Sequence, residues 1–311
     1  MNIFIITEAN IKIGYGHLTR SIALADELSY LGYEVTFIMD ENSSRSLILE
    51  EKGYGVIYDN SKNSIISHIE KSKPIFIVID VVHDNFLKFK FLEKILKTIS
   101  IMSTVHNSID FYGEKTFLIG HNLDKWQHKE ISKNSKTKIY SGRSFIPFRK
   151  EFSYFKPQKR KSKRILIAHG GSDPKKLTEL CIKFLENYEE KLEVVVLIGP
   201  GFNQKRIKFI EINSSNSKHK FILIKGAKNV AEIMASASVA LINGGNIRYE
   251  LCITKTPFLA ISYVKSQDFY TKQLTNNGAG FFLGNYKELS DKSLIKKIYE
   301  LLNDKKRVKL M

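Results

Sequence analysis

Residues 2–20, NIFIITEANIKIGYGHLTR, place an apolar run before a loop that contains glycine and histidine. The run predicts a buried strand, and the apolar spacing of residues 18–31 predicts an amphipathic helix after the loop. Gly14 and Gly16 allow the backbone to approach a bound anion closely, and the helix start offers unpaired N–H groups. His17 can exchange protons near neutral pH. The stretch therefore predicts a site for a phosphorylated or nucleotide-linked substrate.

The alternation of strand and helix patterns continues along the chain. Strands are predicted at residues 3–7, 34–39, 55–58, 75–80, 100–105, 116–119, 164–168, 193–198, 221–224, 239–243 and 257–261. Helices are predicted at 18–31 and 86–97, and from near Lys175, Asn203, Asn229, Ile247 and Gln267. Gly32 suits a left-handed residue after the first helix. Continuous Ile, Val and Leu runs between helices are typical of parallel sheets covered on both faces. The predicted fold class is α/β, with two doubly wound, Rossmann-like domains that face each other across a cleft.

The length of 311 residues suits two domains of about 150 residues each. We predict an N-terminal domain at 1–150, a basic linker at 151–163 and a C-terminal domain at 164–311. The favoured interpretation of the basic residues is a solvated linker, and an anion-attracting patch is the second. These residues are Lys156, Lys159, Arg160, Lys161, Lys163 and Arg164.

Composition limits the class of protein and its ligands. No stretch approaches the about 20 apolar residues of a membrane span, and the start lacks the basic segment of a signal peptide, so we expect a soluble cytoplasmic protein. The two cysteines belong to no ligand-spaced cluster. His83, His106 and His121 follow strands, but no second ligand stands at a metal-like spacing. We therefore expect no metal and no cofactor.

Two glycine loops of the second half could hold phosphates. After the strand at 164–168, Gly171 and Ser172 suit contacts to a diphosphate through backbone N–H groups and a hydroxyl. The other interpretation is a tight turn in which Ser172 or Asp173 caps the helix and Pro174 is its first residue, and both interpretations can hold at once. After the strand at 239–243, Gly245 opens a similar loop.

The helix that follows this second glycine loop carries further candidate binding residues. Asn246 stands at its start, and the Glu250 carboxylate can accept both ribose hydroxyls of a nucleotide. The alternative for Glu250 is a solvated carboxylate paired with Lys or Arg. Gln267, after the strand at 257–261, could hydrogen-bond a sugar, although alone it resembles the start of any helix.

Three motifs occur in the order typical of one family: GYGHLTR at 14–20, GRSFIPFRKEF at 142–152 and GGSDP at 170–174. In them the chain resembles the UDP-sugar hydrolases of pseudaminic acid synthesis (PseG type) and their spore-coat polysaccharide relatives (SpsG type). The resemblance implies a GT-B fold, as in the peptidoglycan N-acetylglucosaminyltransferase, with a nucleotide-sugar-binding C-terminal domain. It implies a UDP-activated amino-deoxy sugar as substrate, of the UDP-2,4-diacetamido-2,4,6-trideoxy-hexose type, for nonulosonic acid or surface polysaccharide synthesis.

The resemblance also implies site roles. His17 would be the general base for attack of water at the anomeric carbon, with no metal required. The substrate-binding residues would be Gly14, Gly16, Arg20, Gly171, Ser172, Gly245, Asn246, Glu250 and Gln267. The hydrolases tend to carry Asp-His-Tyr after the fourth strand, whereas this chain has Asp80-Val81-Val82-His83. Either His83 or Tyr15 compensates, or the chain has moved away from that hydrolase activity.

Three other functions were weighed against the sequence. A glycosyltransferase of the same fold would use His17 to deprotonate an acceptor sugar, and basic residues could hold it on an anionic membrane face. An NAD-binding oxidoreductase is compatible with Asp40 after the second strand, but the glycine spacing disfavours it. The net charge of +17 alone suggests a sugar-nucleotide or nucleic-acid binder. Because the lysines are dispersed, we expect no nucleic acid.

Overall fold

The computed structural model describes residues 1–41, 43, 47–95, 98–102, 114–119, 136, 138–156 and 160–303. The chain divides into two compact units, at residues 1–149 and 150–311. Each unit contains one parallel sheet with helices between its strands. No helix in the described part of the chain has the length and apolar character that crossing a bilayer requires.

The first unit is built on a sheet with the strand order β3-β2-β1-β4-β5-β6-β7. Its strands are β1 (Asn2–Thr7), β2 (Glu34–Ile38), β3 (Gly55–Ile57), β4 (Phe76–Asp80), β5 (Thr98–Met102), β6 (Glu114–Ile119) and β7 (Lys138–Ser141). The helices that the structure describes in this unit are α1 (Gly16–Tyr30), α2 (Leu47–Glu51) and α3 (Lys62–Ser72), with 3₁₀ helices at His83–Lys94 and Arg143–Phe145.

Both faces of the central strand β1 are buried. Ile3 and Ile5 of β1 lie in one apolar cluster with residues of α1, whereas Phe4 and Ile6 lie in another with residues of α3. Successive side chains of a strand point to opposite faces, so the unbroken apolar run of β1 serves both layers. Gly32 has φ of +87°, which confirms the left-handed residue predicted after α1.

The second unit repeats the arrangement with the strand order β10-β9-β8-β11-β12-β13. Its strands are β8 (Arg164–Ala168), β9 (Glu193–Ile198), β10 (Lys220–Lys225), β11 (Val239–Asn243), β12 (Phe258–Ser262) and β13 (Gly280–Asn285). Its helices are α4 (Glu151–Tyr154), α5 (Leu177–Leu185), α6 (Gln204–Ser215), α7 (Val230–Ser236), α8 (Ile247–Ile253), α9 (Lys265–Asn276) and α10 (Asp291–Asn303). Ile165 and Ile167 of β8 pack in one cluster with Cys181 of α5 and Ile298 of α10.

Residues 86–97, predicted as an amphipathic helix, instead include most of the 3₁₀ helix His83–Lys94. Phe86, Phe89 and Leu92 are buried at every third position, which places them on one side of a helix with about three residues per turn. The strands β7 and β13 were not predicted. Residues 103–105 of the predicted strand at 100–105, together with His106 and His121, lie outside the described residues.

Part of the predicted linker at 151–163 packs on the second unit. Residues of α4 belong to that unit, and the Val230 N–H donates to Glu151 Oε2 at 3.0 Å. Several basic side chains of the segment have protein acceptors. Arg160 donates to the Lys255 carbonyl, Lys163 pairs with Glu190, and Arg164 pairs with Glu193. Lys159 lies outside the described residues.

Both sheets have a point where the strand order reverses. In the first unit it lies between β1 and β4, and in the second between β8 and β11. Ligands of open α/β sheets bind beyond the carboxyl ends of the strands at such a point. We call residues 8–21 and 80–85 the first carboxyl edge. Residues 169–173, 199–201, 243–250 and 263–267 form the second carboxyl edge.

Candidate functional site

A rigid turn leads from β1 into α1 at the first carboxyl edge. The Asn10 side-chain oxygen accepts the N–H groups of Lys12 and Ile13 at 2.9 Å each. The Gly14 N–H donates to the Asn10 carbonyl at 2.7 Å. Gly14 has φ of +90°, a conformation that favours glycine. The turn therefore fixes the start of α1 and with it the position of His17.

A buried carboxylate holds the His17 ring. His17 Nδ1 lies 2.8 Å from Oδ1 of Asp80, the last residue of β4. The Asp80 side chain is fully buried, whereas the His17 side chain keeps 17% of its surface exposed. Nδ1 also lies 2.9 Å from Arg20 Nη2, which can only donate. Because the carboxylate can only accept and is the shorter contact, we assign the proton to Nδ1, which leaves the Nε2 lone pair as a base. Histidine with an oriented tautomer and partial solvent access is suited to proton transfer.

The buried face of α1 completes the environment of this carboxylate. Arg20 Nε donates to Asp80 Oδ2 at 2.8 Å, and its Nη2 donates to Oδ1. Ser21 Oγ donates to Oδ2 at 3.0 Å. Arg20 is only 8% exposed. The structure places the Arg20 guanidinium against Asp80, where it supports the orienting carboxylate, and the predicted substrate contact of Arg20 stays a prediction.

The charges around Asp80 determine its ionisation. Burial would raise its pKa, but the neighbouring Arg20 and His17 outweigh burial, so the Asp80 pKa lies below its ordinary value. Asp80 is therefore an anion at neutral pH. An anionic partner stabilises the imidazolium that forms when His17 accepts a proton.

Glu8 ties together the loops that follow β1 and β4. Its carboxylate accepts the Val82 N–H and, at 2.6 Å, the Asn85 side-chain amide. The segment that replaces Asp-His-Tyr is thus held by the main chain of Val82. The Tyr15 ring packs against the apolar cluster below α1. The side chain of His83 lies outside the described residues.

The second carboxyl edge is formed by close backbone contacts. Gly170 has φ of +84°, and the Gly171 carbonyl accepts the Gly201 N–H at 2.8 Å. A Cβ atom on Gly199 would lie 2.3 Å from the Gly171 carbonyl oxygen, so the two loops meet only because Gly199 has no side chain. Gly171 therefore lies in a tightly packed turn that follows β8.

Ser172 and Asp173 connect this turn to α5. The Asp173 carboxylate accepts the N–H groups of Leu177 at 2.8 Å and of Thr178 at 2.9 Å. The Asp173 side chain therefore caps the start of the helix, as the turn interpretation predicted, and contacts of this loop to a diphosphate stay a prediction. Pro174 precedes the helix rather than being its first residue, so that part of the prediction is wrong. Ser172 is 3% exposed, and Arg206 Nη1 donates to its carbonyl at 2.8 Å.

The neighbouring loop after β11 joins the same edge. The Asn243 side-chain amide donates to the His169 carbonyl at 2.8 Å, and its oxygen accepts the Gly245 N–H at 3.1 Å. A Cβ on Gly244 would lie 2.6 Å from Gln267 Cβ, which brings the start of α9 against this loop. Asn246 is the N-cap residue of α8, and Glu250 lies in the first turn of that helix, half-buried.

Burial controls the ionisable groups beneath this edge. It lowers the pKa of His169 to about 4, so this ring is neutral at pH 7. Burial also raises the pKa of the Cys181 thiol, whose sulfur lies 3.5 Å from His169 Nε2. Cys181 is therefore not the thiolate that a nucleophile needs, and a pKa of about 4 makes the neutral His169 ring a weak base. Among the described residues, no group of His, Cys, Asp and Glu side chains is placed to hold a metal ion.

The predicted site residues thus fall on two separate edges. Gly14, Gly16, His17 and Arg20 lie at the first edge, and Gly171, Ser172, Gly245, Asn246, Glu250 and Gln267 lie at the second. Four other residues were not predicted from the sequence as site residues: Glu8, Asp80, Arg206 and Arg248. The signal for Asp80 was its position at the end of a buried strand beside the first strand of the sheet.

Several known proteins are similar to this chain in sequence or in fold. Residues 164–311 match the model of the glycosyltransferase family 28 C-terminal domain. An uncharacterised protein of Methanocaldococcus jannaschii is 25% identical over 290 residues, which cover 88% of this chain and 59% of that protein.

Two further relatives have descriptive names. One is the pseudaminic acid cytidylyltransferase and UDP-2,4-diacetamido-2,4,6-trideoxy-beta-L-altropyranose hydrolase of Helicobacter pylori, 24% identical over 95% of this chain and 50% of that protein. The other is the spore coat polysaccharide biosynthesis protein SpsG of Bacillus subtilis, 23% identical over 97% of this chain and 89% of that protein. The chain spans 59% and 50% of the lengths of the archaeal and Helicobacter proteins.

Solved structures share the fold over the whole chain. MurG of Acinetobacter baumannii has a TM-score of 0.65 at 13% identity, covering 100% of this chain and 92% of that chain. Anabaena Alr3699/HepE, solved with UDP-glucose, has a TM-score of 0.63 at 10% identity, covering 98% and 91%. These likenesses show the two-domain GT-B fold and confirm the predicted α/β class. The predicted cleft stays a prediction.

Proposed function

Because the chain is a PseG/SpsG-like protein with the GT-B fold, we propose that it hydrolyses a UDP-activated amino-deoxy sugar to the free sugar and UDP. The substrate class is UDP-2,4-diacetamido-2,4,6-trideoxy-hexose, used for nonulosonic acid or surface polysaccharide synthesis. The observation that carries this proposal is the pairing of partly exposed His17 with fully buried Asp80.

In the proposed reaction a water molecule attacks the anomeric carbon of the sugar. A bond forms between the water oxygen and that carbon, and the bond between the carbon and the diphosphate oxygen breaks. His17 Nε2 accepts the proton of the water, and Asp80 stabilises the resulting imidazolium. General base catalysis of this kind is worth about 10²–10⁴ in rate.

The first carboxyl edge has features that suit a sugar beside His17. Gly16 is exposed, and a Cβ at this position would have no atom within 4 Å. Because Gly14 and Gly16 have no side chains, nothing bulky covers the backbone at these two positions near the start of α1. We propose that Gly14 and Gly16 contact the sugar, while Arg20 acts through Asp80.

The second carboxyl edge is the proposed nucleotide site. Gly171 and Gly245 would approach the diphosphate with their backbone, with Ser172 and Asn246 beside them. Glu250 would accept the ribose hydroxyls, and Gln267 would bind the sugar. The fit of these roles rests on the adjacency of the loops after β8, β11 and β12.

The test is release of UDP and free sugar from the UDP-sugar by wild-type protein and by His17→Gln. We expect the variant to lose about 10²–10⁴ in kcat, because the amide cannot accept the proton, while its affinity for UDP is unchanged. His68→Gln, a histidine substitution in α3 of the same unit, is the matched control and should keep wild-type turnover. Full turnover by His17→Gln would refute the assigned role.

A nucleotide-sugar-dependent glycosyltransferase is the second candidate. The match of residues 164–311 to a glycosyltransferase domain favours it. His17 would then deprotonate an acceptor hydroxyl instead of water, and a membrane-borne acceptor would bring the protein to an anionic membrane face. UDP release that depends on an added acceptor would select this candidate over hydrolysis.

The identity of the nucleotide is tested separately. We expect UDP to raise the melting temperature more than GDP, dTDP or CMP at equal concentration, because a ligand that binds only the folded state stabilises it. A larger rise with dTDP would keep the sugar-nucleotide site but replace uridine.

A further inference from the structure

A buried arginine of the second unit has no carboxylate partner among the residues that the structure describes. Arg248 of α8 exposes 6% of its surface. Among the described residues, no Asp or Glu oxygen lies within 4.0 Å of its guanidinium nitrogens. Three other arginines of low exposure each pair with a carboxylate: Arg20 with Asp80, Arg164 with Glu193, and Arg206 with Asp173 and Glu179.

The contacts of Arg248 are with neutral groups. Nη1 donates to the Gly244 carbonyl, and Nη2 donates to the Tyr249 hydroxyl at 3.4 Å. The guanidinium carbon lies 4.7 Å from the centroid of the Tyr249 ring. Nε is buried without a hydrogen-bond partner. A guanidinium carries five N–H donors and a permanent charge, so these contacts leave donors and charge unbalanced.

An unbalanced buried cation is costly, and proteins rarely keep one without a counter-charge. No described residue supplies that counter-charge to Arg248, so an anionic ligand is the natural partner. Arginine binds phosphate oxygens through two parallel N–H groups, which adds direction to the charge attraction.

The position of Arg248 agrees with such a ligand. Its Nη1 holds the carbonyl of Gly244, the first residue after β11. Asn243 links this loop to His169 and thus to the glycine loop after β8. The cation therefore lies where the strand order of the second sheet reverses, the usual ligand position in an open α/β sheet.

We infer that Arg248 binds a phosphate group of the nucleotide through its free guanidinium donors and anchors the diphosphate at the Gly244–Gly245 loop. This inference rests on the proposed function, because it assigns the anion to the nucleotide diphosphate. When the bond to the sugar breaks, the diphosphate gains negative charge, and a fixed cation beside it favours that change.

The experiment separates phosphate binding from loop support. Dissociation constants for UDP, UMP and uridine are measured by calorimetry for wild type, Arg248→Met and Arg248→Lys. Methionine keeps much of the volume and removes the charge, whereas lysine keeps the charge. The matched control is Arg164→Met, which removes a paired arginine at the start of β8, at the opposite end of the strand from the glycine loop.

We expect Arg248→Met to weaken UDP binding about 10- to 100-fold, because hydrogen bonds to a charged group are lost. Uridine binding should stay within about 3-fold of wild type, and Arg248→Lys should retain part of the UDP affinity. Arg164→Met should leave the ratio of UDP to uridine affinity unchanged. Ligand-free Arg248→Met should melt no lower than wild type, because it removes an unpaired buried charge.

Equal weakening of UDP and uridine, or wild-type UDP affinity in Arg248→Met, would overturn the inference. An Arg248→Met variant that fails to fold, with Arg248→Lys folded but unchanged in UDP affinity, would assign Arg248 a structural role and also overturn it. Wild-type protein that binds none of the three ligands would overturn the proposed function itself, and this inference with it. The two failures are therefore distinguishable.

Discussion

The two carboxyl edges of this protein share one topology and differ in chemistry. In both sheets the first strand lies between the second and fourth strands of its unit, and the loops of interest follow the first and fourth strands. At the first edge, ionisable side chains meet: Asp80 accepts from His17, Arg20 and Ser21. At the second, glycine turns meet backbone to backbone, as at Gly171 and Gly199.

Topology therefore selects where a site forms but not what it does. Parallel strands deliver two loops to the same place in each unit. Whether the place suits proton transfer or anion binding depends on the few residues that follow those strands. A buried carboxylate orients a base at the first edge, whereas the second leaves backbone groups and Arg248 available to an anion.

Asp80→Asn should destabilise the first carboxyl edge and slow the reaction, and it should not affect ligand binding at the second edge. Arg20 would remain buried without its counter-charge, so we expect the free energy of unfolding of the first unit to fall by about 3–5 kcal/mol. The amide also no longer stabilises the imidazolium, so kcat should fall by at least about 10²-fold while UDP affinity is kept. Denaturant-dependent hydrogen exchange of β1 and β4 peptides, together with steady-state kinetics, measures both.

The matched control for this variant is Asp26→Asn. Asp26 pairs with Lys52 at 2.9 Å, but the side chains are 23% and 41% exposed. Such an exposed pair is worth at most about 1 kcal/mol. Equal loss of stability in the two variants would show that the Asp80 cluster is an ordinary ion pair.

Lowering the pH should affect the stability of the two units differently. Above about pH 6.5, His169 is neutral in the folded and unfolded states and does not affect stability. As the pH falls from about 6.5 towards the folded pKa of about 4, the unfolded chain binds a proton that the folded ring does not. The second unit should therefore lose up to about 1.4 kcal/mol of stability per unit of pH in this window.

Asp80 should affect the stability of the first unit only at lower pH. Its folded pKa lies below the ordinary value, so its contribution to stability is complete above about pH 4 and is lost only as the pH falls through the folded pKa. Urea unfolding at several pH values, compared between wild type and His169→Gln, measures the difference. The variant should show the flatter dependence between about pH 6.5 and 4; parallel curves would contradict the assignment.

Glycine substitutions at the two edges should give the smallest effects. Gly244→Ala would place Cβ 2.6 Å from Gln267 Cβ, so we expect a loss of about 1–3 kcal/mol and weaker UDP binding. Gly16→Ala meets no atom within 4 Å, and its stability should change by less than about 1 kcal/mol. Thermal melts with and without UDP measure both variants. Equal effects would show that close packing does not distinguish the edges.

Much of the fold could be predicted from the sequence because its strands are continuous apolar runs. β1, β8 and β11 were found close to their observed limits. β7 was missed because it has no continuous apolar run, and its residues alternate between exposed and half-buried positions. β13 was missed because it contains two glycines and ends in asparagine. The 3₁₀ helix at His83–Lys94 was taken for an α-helix, since a three-residue repeat is close to the 3.6-residue one.

The candidate site was predicted in part. His17 was accessible to sequence reasoning because the glycine loop and the helix start lie next to it. Its partner Asp80 stands 63 residues away, and only the adjacency of β1 and β4 brings the two together. Arg248 was missed for a similar reason: its lack of a carboxylate is a property of the folded environment, not of the sequence around it.

The most direct test of the proposed role of His17 is the hydrolysis of UDP-2,4-diacetamido-2,4,6-trideoxy-hexose in oxygen-labelled water, with the products followed by mass spectrometry. Attack of water at the anomeric carbon predicts equal amounts of free sugar and UDP, no label in the UDP, and almost no product with His17→Gln. Label in the UDP phosphate, or UDP that forms only when an acceptor is added, would contradict the account.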